Sequence, residues 1–85
     1  MAPPPDGAAA VAKRSLSIAG HRTSVSLEDA FWTGLRDIAA ERGLALAGLV
    51  AEIDRARGST NLSSAIRVHV LHHYRDRSAP PAERA

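Results

Sequence analysis

His21-Arg22-Thr23-Ser24-Val25-Ser26-Leu27 alternates polar and less polar side chains, and an acidic amphipathic run over residues 28–42 follows it at once. Side chains in a strand alternate between two faces. Thr23, Val25 and Leu27 therefore share one face, and Arg22, Ser24 and Ser26 share the other. The passage from strand pattern to helix pattern leaves no room for a loop. A strand that carries arginine and small hydroxyls on one face and apolar residues on the other suits an edge-to-edge partner, here a second copy of itself, with its polar face turned outward.

Upstream, Leu16 and Ile18 alternate with Ser15 and Ser17, and Ala19-Gly20-His21 offers a turn. This pattern fits one long strand broken at Gly20 or a small hairpin, and the sequence leaves both open. Downstream, Ser26 and Asp29 have the spacing of a helix-capping pair. Phe31, Leu35, Ile38 and Ala39 then recur at helical intervals, and Gly43 is placed to end the helix. A second helix is expected over 46–56, with Leu46, Leu49, Val50 and Ile53 on its apolar face. A third is expected over 62–75, capped by Asn61 or Ser63. Its apolar residues, Leu62, Ile66, Val70 and Tyr74 with Val68 and Leu71 beside them, cover an arc too wide for burial on one side alone. The fold class is mainly α with a short N-terminal β segment.

The chain has 85 residues, no cysteine and a net charge of +2. Residues 1–12 and 78–85 are dominated by proline, glycine and alanine and read as flexible tails around a domain over 13–77. A domain of that size buries little surface, and no disulfide or thiolate–metal site is available to it, so dimerisation is the expected remedy. No run approaches the ~20 apolar residues of a membrane span, and the start lacks the layout of a signal peptide. A cytoplasmic protein without membrane contact is expected. No acid falls between Asp6 and Glu28, whereas Lys13, Arg14, His21 and Arg22 all do. That basic stretch on a near-neutral body points to a polyanion.

IAGHRTSVSLEDAFW at 18–32, LVAEID at 49–54 and NLSSAIRVHVL at 61–71 resemble the short bacterial members of the ribbon–helix–helix family of Arc/MetJ-type DNA-binding proteins. The resemblance implies an intertwined homodimer with an additional C-terminal helix, whose intersubunit β-ribbon enters the major groove. It implies sequence-specific binding of double-stranded DNA by a transcriptional repressor or autoregulator, nucleoid-associated when bound. Arg22, Ser24 and Ser26 would then read bases, Arg22 by two hydrogen bonds to guanine. Phosphate contacts would come from Lys13, Arg14 and His21, from the amides at Ala45 and Leu46 opening the second helix, and from Ser63 and Ser64 opening the third. Val25, Leu27, Phe31, Leu35, Leu49, Val50, Ile53, Ile66 and Val70 would form the dimer core. The serine or threonine usual at the start of the second helix is missing.

Other chemistries fit less well. His69 and His73 lie one helical turn apart, but no acid or cysteine is near them in sequence, so no metal and no cofactor is expected. Histidines there also suit the negative end of a helix. Trp32 falls at a helix start and reads as packing. Ser59-Thr60-Asn61 reads as a helix-opening loop. Glu52 and Asp54 fall on different helix faces, and no nucleophile–base pair stands out, so no enzyme is expected. The rival reading is a dimeric protein-interaction module, antitoxin-like or a scaffold, with a protein partner and weak or no DNA binding.

Overall fold

The computed structural model describes residues 8–78, so the tail segments 1–7 and 79–85 lie outside the described residues. Two strands, β1 (Val11–Ile18) and β2 (His21–Glu28), precede three helices, α1 (Asp29–Glu41), α2 (Leu46–Ala56) and α3 (Leu62–Ser78). The strands pair antiparallel within the chain, from Ile18 opposite His21 to Val11 opposite Glu28. The segment is thus a hairpin. Ala19 (φ 51°) and Gly20 (φ 86°) form its turn, and positive φ at both central residues matches the twist that a two-residue hairpin requires.

This pairing decides the choice that the sequence left open, in favour of the hairpin, and occupies one edge of β2. Its partner is β1, eight residues of the same chain. β1 also starts two residues inside the segment read as a tail, because its base is tied down. The indole Nε1 of Trp32 donates to the Ala12 carbonyl at 2.9 Å. The amides of Asp29 and Ala30 donate to the carbonyls of Ala10 and Ala8.

Those last two bonds also revise the start of α1. Strand pairing persists to Glu28, which is the N-cap residue and makes no side-chain capping bond. Ser26 therefore stays in the strand and does not cap the helix. Backbone carbonyls from before β1 satisfy donors that a helix start otherwise leaves orphaned. At the other end, Gly43 (φ 67°) follows the last turn. Leu44 donates to Ala39 and Gly43 to Ala40, the paired bonds of a glycine-terminated helix. In α3, the side-chain oxygen of Asn61 accepts from the Ser64 amide at 3.1 Å, so Asn61 is the cap.

The inner face of the hairpin packs on all three helices around Ile18, Val25, Leu27, Trp32, Leu35, Ile38, Ala39, Leu49, Val50, Ile53, Ile66 and Val70. Eight of the nine residues expected at a dimer core are in this set, and Phe31 is half-buried beside it. These side chains are covered within one protomer. α1 and α3 approach closely at Gly34, where an added Cβ would lie 3.0 Å from Val70 Cγ1.

Candidate functional site

The outer face of the hairpin is built by both strands. Lys13 lies opposite Ser26, Ser15 opposite Ser24 and Ser17 opposite Arg22. Five of these six side chains are exposed and Ser26 is half-buried. Neighbouring positions in the same strands point the other way: Ile18, Val25 and Leu27 are buried, and Ala12, Leu16 and Thr23 half-buried. Core burial on one side fixes which residues face out, since a one-residue slip would exchange the faces. Arg22, Ser24 and Ser26 thus share a surface, as the sequence pattern required. Ser15 and Ser17 belong to it too. Sequence reasoning missed them as site residues, although their alternation with Leu16 and Ile18 was visible.

The residues expected to contact phosphate are dispersed. Lys13 is on the outer face. Arg14 has the opposite parity, and its guanidinium carbon sits 5.3 Å from the ring centroid of Trp32, a cation–π contact. His21 lies at the hairpin tip in the wall of a recess of about 490 Å³, which Asp54, Arg57, Asn61 and Ser63 also line. Ser64 has its amide committed to Asn61. Ala45 is the extended N-cap residue of α2 and makes no side-chain cap, so the amides that open this helix, beginning with Leu46, keep no side-chain partner.

Charge is distributed to the same effect. Glu52 takes Arg42 at 2.9 Å, Asp54 takes Arg57 at 2.6 Å, and Glu41 takes Arg77 at 2.6 Å. Glu28, at the base of the ribbon, takes Arg67 of α3 at 3.0 Å. Its carboxyl is held below its ordinary value first by a hydrogen bond from its own backbone amide and then by Arg67. Glu28, Glu41, Glu52 and Asp54 are thereby paired, while Lys13 and Arg22 make no salt bridge among the described residues. The exposed ribbon face carries two cations and four hydroxyls.

The second edge of β2 is open. Hydrogen-bonded pairs alternate along an antiparallel ladder, and a two-residue turn makes Ile18–His21 the closing pair. The bond from Asp29 to Ala10 continues that phase. The backbone groups of Arg22, Ser24 and Ser26 therefore point away from β1, and no other described residue bonds them. The recess that holds His21 borders β2 at Thr23, Ser24 and Val25.

On α3, His73 Nε2 lies 3.6 Å from Glu41 Oε1, an acid supplied from α1 that spacing along the sequence could not reveal. No three histidine, cysteine or acidic residues among the described residues are placed to hold a metal ion. No described helix is long and apolar enough to cross a membrane.

The chain matches the ribbon–helix–helix domain family over residues 11–74. It is also similar to a solved structure, that of an uncharacterised protein from Bordetella pertussis Tohama I, with 32% identity and a TM-score of 0.72. That match covers 89% of this chain and 66% of the other, so the chain spans just under two thirds of that protein. No curated protein matches it significantly. With the match running from the first residue of β1 into α3, the chain belongs to the ribbon–helix–helix domain family.

Proposed function

We propose that the chain binds double-stranded DNA sequence-specifically as a homodimer and acts as a transcriptional repressor or autoregulator. The observation that carries this reading is the outer face of β2, where Arg22, Ser24 and Ser26 stand in a row over a strand whose other face is core. Two copies would join antiparallel along the open edges of β2, pairing the backbone groups that the single chain leaves free. The joined strands then form a ribbon of the width that the major groove admits. Arg22 is the one side chain on the β2 face able to donate two parallel hydrogen bonds to guanine, a contact that discriminates by ~1–3 kcal/mol. Serines contact base edges or phosphates with little selectivity. The uncapped amides at Ala45 and Leu46 are suited to phosphate. Two-fold symmetry predicts (pseudo)palindromic sites.

Selection from a pool of random duplexes tests the proposal. Enrichment of a palindrome is expected, with affinity falling steeply as salt is raised. Arg22→Ala should weaken the selected duplex by about 1–3 kcal/mol per protomer, about 2–6 kcal/mol for the dimer, and relax its preference. Lack of any enrichment at low salt would refute the reading.

A second reading rests on α3, where Val68 and Leu71 remain 48% and 50% exposed. Apolar side chains left out of a complete core suit a protein partner. In that case Val68→Ser with Leu71→Ser would abolish partner capture and leave any DNA affinity untouched.

A further inference from the structure

We propose that β1 forms the phosphate-facing flank of the DNA site, with Lys13, Ser15 and Ser17 of each protomer lying along the rims of the groove that β2 reads. The inference rests on the DNA-binding reading above. If two copies join through β2, the sheet order is β1, β2, then the second copy's β2 and β1. Adjacent strands are ~4.8 Å apart, which sets the two outer strands about 14 Å from each other. The major groove is about 12 Å wide and takes two strands, not four. β1 therefore stands over the edges of the groove, where the phosphates are.

Its side chains match that position. Lys13, Ser15 and Ser17 are exposed on the same face as Arg22, Ser24 and Ser26 and directly across from them. The strand reads VAKRSLSI and contains no acid. Its one arginine, Arg14, is turned to the opposite face against Trp32. What remains outward is a flexible point charge and two small hydroxyls, groups that hold a backbone without distinguishing sequence. The Trp32–Ala12 bond and the burial of Ile18 keep β1 from rotating this face away. The division of labour is that β2 reads and β1 holds.

The test is equilibrium binding of the full chain to a selected duplex and to a scrambled one, over a salt series, with folding checked by circular dichroism. Lys13→Ala should weaken both duplexes by the same factor. It should also lower the log–log salt slope by about 1.8 per dimer, two phosphates at about 0.9 each. Ser15→Ala with Ser17→Ala should weaken both duplexes equally and leave the slope alone. A change of sequence preference in Lys13→Ala would place Lys13 on base edges and overturn the proposal. Unchanged affinity and slope, with Arg22→Ala still erasing preference, would remove β1 from the DNA while leaving β2 as reader. If Arg22→Ala also changes nothing, the ribbon is not the reading element and the whole hairpin face is removed from the DNA site. Absence of binding to any duplex at low salt would defeat the DNA-binding reading itself.

Discussion

Trp32 of α1 donates its indole hydrogen to the carbonyl of Ala12 in β1 at 2.9 Å, joining the first helix to the outer strand of the ribbon. The ring is fully buried, and Arg14 lies over it. Trp32→Phe keeps an aromatic ring but removes the donor and some volume. One net hydrogen bond and a small cavity together cost about 1–2 kcal/mol. Urea unfolding followed by circular dichroism should show that loss as a lower midpoint. An unchanged midpoint would mean that β1 is held by its apolar contacts alone.

Gly34 sets two effects against each other. Alanine improves helix propensity by about 1 kcal/mol. Its Cβ, however, meets Val70 Cγ1 at 3.0 Å and Tyr74 at 3.5 Å. Val70 is 5% exposed and has little room to yield, and overpacking costs about 1–3 kcal/mol. Crowding should win. Gly34→Ala is expected to lose about 1 kcal/mol, seen as a Tm lower by roughly 4–8 °C for a domain of this size. A raised Tm would show that the two helices part freely.

His69 gives stability a pH dependence on the acid side. Burial first, and then the positive charge of Arg42, hold its imidazole below the ordinary value of 6.5; Glu52 opposes them. The unfolded chain therefore takes up the proton more readily than the folded one, and acidification favours unfolding. This residue's contribution is complete above about pH 6.5 and is lost as the pH falls through the lowered folded value. His69→Gln should flatten the decline of Tm from neutral pH into the acid range. A decline as steep as in the parent chain would assign it to other groups.

Burial pattern and turn chemistry make much of the fold readable. The alternation from Thr23 to Leu27 reveals the two faces of β2 because one face is core. The 46–56 helix is bounded by its own stripe, and Gly43 marks the end of α1. The hairpin stays undecided in the sequence because Ala19, which carries a Cβ at positive φ, occupies a turn position where asparagine or glycine would have announced it. The start of α1 is misplaced because the carbonyls that satisfy it belong to Ala8 and Ala10, and backbone groups leave no mark on a sequence. Of the site, Arg22, Ser24 and Ser26 are legible by parity. Lys13, Arg14 and His21 are grouped by charge alone, and the two faces of a strand separate them. The contact between Arg67 and Glu28 joins residues far apart in the chain, so no local pattern encodes it.

The bonds from Asp29 to Ala10 and from Ala30 to Ala8 make the opening of α1 a property of the chain that precedes the hairpin. A fluctuation that lifts β1 also strips those amides of their acceptors, so ribbon and helix must fray together. Hydrogen exchange at Asp29 and Ala30 is therefore a gauge of whether the hairpin's outward surface is in place.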